Sequence, residues 1–111
     1  MTSPVQEWWH QRLTALALIP LTFWLLVFLN KALHLPYAEI REWLASATNS
    51  LAIASWLLLV LYHAALGIQV VLEDYISTLT LRHRLIWISR GVFFVIGCIG
   101  IAALIIIVLG Q

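Results

Sequence analysis

Three stretches of this chain carry no charged side chain: residues 13–29, 51–72 and 91–110. A helix rises about 1.5 Å per residue, so about 20 apolar residues cross a hydrocarbon core of about 30 Å. The second and third stretches reach that length directly. The first reaches it when extended to Leu33, which takes in Asn30 and lets Lys31 snorkel its ammonium to the surface. The spans expected are therefore about 13–33, 51–73 and 87–109. Pro20 lies inside the first, where a kink is expected and a membrane helix tolerates it. The fold class that follows is an all-α integral membrane protein of three transmembrane helices, one anchor domain over residues 1–111.

Composition agrees. The chain is 63% hydrophobic and only 10% charged, where a soluble domain carries about 25% charge. A net charge of +1 provides no clustered basic face for nucleic acid. The six tryptophans suit a bilayer boundary, where indole rings prefer to lie. Cys98 sits in an apolar run and is read as a small core hydrophobe. In the same run Gly91, Gly97 and Gly100 are read as part of a plain apolar anchor, with close helix packing as the alternative.

The two connections differ. Residues 30–50 hold Ile40, Trp43, Leu44 and Ala47 at i, i+3, i+4 and i+7, with Glu39, Arg41 and Glu42 on the other side. That pattern predicts a short helix in the membrane interface between helices one and two. Residues 73–84 form the second connection. Basic residues near the span ends set orientation. The N-terminus and second connection share one side with Arg12, Arg82, Arg84 and Arg90, against Lys31 and Arg41 on the other. The N-terminus and Asp74-Tyr75 are thus expected to face the cytoplasm, and Gln111 the opposite side. The N-terminal residues show neither a basic cluster nor a small-residue cleavage site. A permanent anchor in a bacterial cytoplasmic membrane is expected, with the mitochondrial inner membrane as the alternative.

Within the charge-free stretch 51–72 stands a lone histidine, His63. An ionisable group at bilayer depth is costly and points to function. His63, Gly67, Val70 and Asp74 fall on one helical face, with His63 about 16 Å along the axis from Asp74. Gly67 leaves room for a flat group beside the imidazole, so an axial ligand to haem is one reading. A hydrogen bond to a neighbouring helix is the other; a proton relay lacks a second ionisable group nearby. His10, His34 and His83 lie outside the spans, so a six-coordinate haem here needs a second ligand from another polypeptide. At the helix end, Tyr75 could donate to a quinone carbonyl with Asp74 exchanging protons beside it, or be an ordinary belt tyrosine. Arg12 reads as a propionate partner, a positive-inside anchor, or both.

Two segments carry a family resemblance. His63-Ala-Ala-Leu-Gly67-Ile-Gln-Val-Val-Leu-Glu-Asp74-Tyr75-Ile resembles the second-helix signature of the small hydrophobic anchor subunit of succinate dehydrogenase, respiratory complex II. Trp8-Trp-His-Gln-Arg12-Leu-Thr14-Ala15 resembles that family's opening Arg-x-Thr-Ala motif. The resemblance implies that His63 ligates a haem b shared with a cytochrome b anchor subunit, which brings the second ligand. It implies Tyr75 and Asp74 at ubiquinone and Arg12 at a haem propionate. FAD and iron–sulfur clusters would belong to the partner flavoprotein and iron–sulfur subunits, which this chain would dock to the bilayer. The implied activity is that of a succinate:ubiquinone oxidoreductase of the tricarboxylic acid cycle and aerobic electron transport, with none from this chain alone. A fumarate reductase anchor using a low-potential quinone and a haem-free structural or assembly protein are the alternatives.

Overall fold

Ser3 starts the first helix in the structure, a computed structural model that describes residues 3–110. Gln111, expected on the far side of the membrane, lies outside them. The Ser3 hydroxyl accepts from the Gln6 amide while the Gln6 side chain accepts from the Ser3 amide, and Pro4 opens the helix. This reciprocal cap satisfies two otherwise orphaned amides. Helix α1 then runs Pro4–His34, about 46 Å at the standard rise. It begins well before the apolar run and carries Glu7, His10 and Arg12 on regular helix. Leu35 ends it in an extended conformation, as a residue preceding proline is obliged to do.

Helix α2, Tyr37–Ala45, is the short connection helix expected from the spacing, and Ser46 alone separates it from α3, Ala47–Tyr75. Only residues 76–78 separate α3 from α4, Leu79–Leu109. The second connection is therefore much tighter than its run of polar residues implied, because Glu73 and Arg84 continue the helices beyond the apolar stretches. Among the described residues the fold is all-helical, and α1, α3 and α4 are long and apolar enough to cross a membrane.

Helix α3 is the centre of the molecule. It packs against α1 on one side and α4 on the other, while α1 and α4 share no packed face. The α1–α3 seam is antiparallel and is stitched by polar pairs about two turns apart. Glu7 meets Gln69, Thr14 meets His63, and Thr22 accepts from the Trp56 indole at 3.3 Å. The α3–α4 seam is different. Gly97 is buried, a methyl there would come 3.2 Å from Leu61, and one at Gly100 would collide with Leu57. These two glycines let leucines of α3 nest against the α4 backbone. They mark close helix packing rather than a plain anchor, whereas Gly91 has open space around it. Cys98, expected in a core, is instead exposed on α4.

The connection helix is tied down at the end of the molecule opposite the α3–α4 turn. Leu44 is buried, Trp43 stacks on Phe28 of α1 at 5.9 Å, and Asn49 bridges the Trp24 indole and the Trp43 carbonyl. Arg41, assigned by its spacing to the polar face, is half-buried, and its Nε donates to the Ile107 carbonyl at 2.9 Å. The last carbonyls of α4 lack intrahelical partners and carry partial negative charge, so a guanidinium is drawn to them.

Candidate functional site

The polar residues of the spans gather toward the end that carries the helix start of α1 and the α3–α4 turn. There α1 and α3 enclose a groove of about 590 Å³, lined among others by Trp8, Gln11, Arg12, Ala15, His63 and Val70. His63, singled out inside the second span, and Arg12, singled out at the end of the first, thus line one cavity. Arg12 is held by its neighbour one turn back: its guanidinium lies over the Trp8 ring, 5.2 Å from the centroid, a geometry favoured by the ring quadrupole. The lining also includes Glu7 and Glu73, whose carboxylates accept from Gln69. With those two engaged there, the apolar wall and the Arg12 guanidinium suit a flat apolar ligand whose anionic edge meets Arg12.

His63 is half-buried, and its Nδ1 lies 2.8 Å from Thr14 Oγ1. Thr14 is buried in the seam, and its hydroxyl also contacts the His10 carbonyl at 2.7 Å and the Gln11 carbonyl at 3.1 Å. The ring thus does make the interhelical hydrogen bond that was one reading of it, through one nitrogen. Among the described residues Nε2 takes no hydrogen bond, and it is not sealed from the groove. A ring anchored through Nδ1 with Nε2 open is the usual posture of a metal-ligating histidine. No group of three or more His, Cys, Asp or Glu gathers among the described residues. A metal at His63 would therefore have to bring its equatorial donors with it, as a porphyrin does. Haem fits this donor set.

Gly67 lies one turn from His63 toward Asp74, and a methyl added there would meet only the Gln11 amide at an ordinary 3.7 Å. Packing against α1 does not demand a glycine. Val70 and Glu73 continue the groove wall, while Asp74 and Tyr75 stand exposed outside it, Tyr75 at 82%. The structure therefore joins His63 with Arg12 and leaves the Asp74-Tyr75 pair as a separate feature at the end of α3.

Sequence reasoning missed the polar clasp beside the groove. Gln69, only 4% exposed, donates from Nε2 to Glu7 at 2.8 Å and to Glu73 at 3.0 Å, and its Oε1 accepts from Arg90 Nη2 at 2.8 Å. Arg90 also lies over the Trp87 ring at 5.3 Å. One amide so links α1, α3 and α4. The available signal was a lone glutamine in an apolar span, which membranes use to join helices. On the other flank of α1, His10 Nδ1 lies 2.7 Å from the Tyr62 hydroxyl.

Fold and groove define a small, three-span helical membrane protein with its polar chemistry concentrated at one end. The family model described as succinate dehydrogenase/fumarate reductase transmembrane subunit matches residues 1–108, and the chain belongs to that family. It is similar to proteins named succinate dehydrogenase hydrophobic membrane anchor subunit from three Rickettsia species. The Rickettsia bellii protein is 39% identical over 84 residues, covering 72% of this chain and 64% of the relative. The Rickettsia conorii protein is 38% identical, covering 76% and 68%, and the Rickettsia typhi protein is 32% identical, covering 79% and 70%. The chain thus spans just under two thirds of the first of these relatives. No solved structure matches it.

Proposed function

We propose that this chain is the hydrophobic anchor subunit of a succinate:ubiquinone oxidoreductase, supplying one axial ligand to a haem b and part of a quinone-reduction site. The observation that carries the reading is a groove lined by both Arg12 and His63, whose Nδ1 alone is hydrogen-bonded among the described residues. Membership of the family and the names of the Rickettsia relatives support it.

His63 Nε2 would bind the iron, and Arg12, steadied by Trp8, would pair with propionate carboxylates at the groove mouth. Bound there, the haem supplies a one-electron carrier. The other histidines do not offer a second ligand in this groove: His10 is engaged by Tyr62, His34 bonds the Asn30 carbonyl, and His83 lies on the first turns of α4. A second protein ligand to the iron would therefore come from a companion cytochrome b subunit. Tyr75 would donate its hydroxyl proton to a ubiquinone carbonyl and steady the charge that develops on that oxygen as electrons arrive. Asp74, exposed to water beside it, would pass protons toward the quinol oxygens. Electrons would come from iron–sulfur clusters in a docked subunit, fed by a flavoprotein that oxidises succinate.

The balance of basic residues, Arg12, Arg82, Arg84 and Arg90 against Lys31 and Arg41, directs the Tyr75 end to the cytoplasm of a bacterial membrane. The family description also covers fumarate reductases, which run the reverse reaction with a low-potential quinone. Affinity purification of the chain from native membranes tests the whole assignment. A flavoprotein, an iron–sulfur protein, a second small membrane chain and bound ubiquinone are expected together. Menaquinone in place of ubiquinone would favour the fumarate reductase reading, and isolation of the chain without the redox subunits would refute the anchor role.

A further inference from the structure

Thr14 lies where it can decide which nitrogen of His63 is free. A hydroxyl has one proton to give and two lone pairs to receive with. The Thr14 hydroxyl lies 2.7 Å from the carbonyl of His10, one turn back on its own helix, and 3.1 Å from that of Gln11. Its proton is committed to the α1 backbone, the usual back-bond of a helical threonine. The oxygen can then only accept from His63 Nδ1, 2.8 Å away. An imidazole that donates from Nδ1 keeps its lone pair on Nε2. Burial of Thr14, at 7% exposure, keeps water from replacing the contact.

We propose that Thr14 is a positioning residue: its hydroxyl, oriented by the His10 carbonyl, accepts the Nδ1 proton of His63 and so holds the ring with its Nε2 lone pair aimed at a metal. This rests on the haem reading of His63 and adds to it the group that selects the tautomer and fixes the ring plane. The α1–α3 seam is thus part of the site, since α1 supplies the orienting hydroxyl and α3 the ligand. Outer-shell partners of this kind change metal affinity about 10- to 100-fold when removed.

The test uses the intact membrane complex carrying Thr14→Val, Thr14→Ser or His63→Ala, with apomyoglobin as haem acceptor and the low-temperature EPR spectrum of the oxidised haem as second readout. Thr14→Val keeps the shape and removes the acceptor. It is expected to release haem about tenfold faster or more and to shift or broaden the low-spin signal. Thr14→Ser restores the hydroxyl and should return both readouts close to the parent. Should Thr14→Val not assemble, Thr14→Cys takes its place, a thiol being a poor acceptor, with the same expectation. Parent-like release and EPR in the variant lacking the hydroxyl would overturn the proposal. So would a serine variant as impaired as valine, which would assign the effect to the methyl group. His63→Ala separates the two levels. Loss of the haem band there with a parent-like Thr14→Val removes the Thr14 proposal alone, whereas a retained band overturns the haem reading and the proposal together.

Discussion

His63 shows how much of a half-buried imidazole's role depends on its second nitrogen. One nitrogen meets a threonine, and the other takes no hydrogen bond among the described residues on a ring that lines the groove. This leaves the ring able to ligate a metal, whereas two hydrogen bonds to neighbouring helices would have made it a packing device. The histidine itself was legible, because an ionisable residue inside 22 charge-free positions stands out. Its partner was not. Thr14 occurs in the opening motif, but which turn of α1 meets which turn of α3 is set by the packing of two long helices, and no local pattern encodes it. Tyr75 is the converse case, exposed at the end of α3 and outside the groove. The role proposed for it is therefore separable by experiment from that proposed for His63. Tyr75→Phe should lower succinate:quinone reductase activity about tenfold, the worth of one hydrogen bond of about 1.4 kcal/mol. Succinate oxidation by an artificial dye should stay nearly intact. If both activities fall together, Tyr75 acts on assembly.

At the scale of elements, α3 is the hub, and two unlike seams hold its neighbours. Toward α4 the contact is steric, with Leu57 and Leu61 set against Gly100 and Gly97. Toward α1 it is polar, and Gln69 extends that seam to α4 through Arg90. Gln69→Leu removes three hydrogen bonds at once. Buried polar groups deprived of a partner cost about 1–3 kcal/mol, so the solubilised complex should melt at a lower temperature, while Ile68→Leu on the exposed neighbouring position should not. An unchanged midpoint in Gln69→Leu would mean that the seams are held by apolar contacts alone. The helices themselves were legible from absence of charge, and α2 from its spacing. Their ends were not read from hydropathy, since Ser3-Pro4-Val5-Gln6 starts α1 in polar sequence through a cap. Arg41 misled in the same way: a helical wheel assigns a charge to solvent, whereas here the far end of α4 offers carbonyls within its reach.

As a whole the molecule is a narrow bundle of three spans, 51 × 25 × 21 Å, with most of its large apolar side chains exposed. An apolar environment, lipid or other protein, is what such a surface requires. The groove is walled by α1 and α3 on one side and is otherwise open, so on the proposed reading a bound haem would have a second polypeptide on its other side. Orientation belongs to this scale as well. In a Cys98→Ala background, a membrane-impermeant maleimide added to intact cells should label Leu109→Cys and spare Ser77→Cys; the reverse pattern would invert the topology and move the Tyr75 end to the periplasm. The most direct test of the account remains the reduced-minus-oxidised absorption spectrum of the purified complex carrying His63→Ala. With flavin and iron–sulfur content matching the parent, the account requires the b-type band to disappear. A band of parental height and position would contradict it, because the iron would then be held without this imidazole.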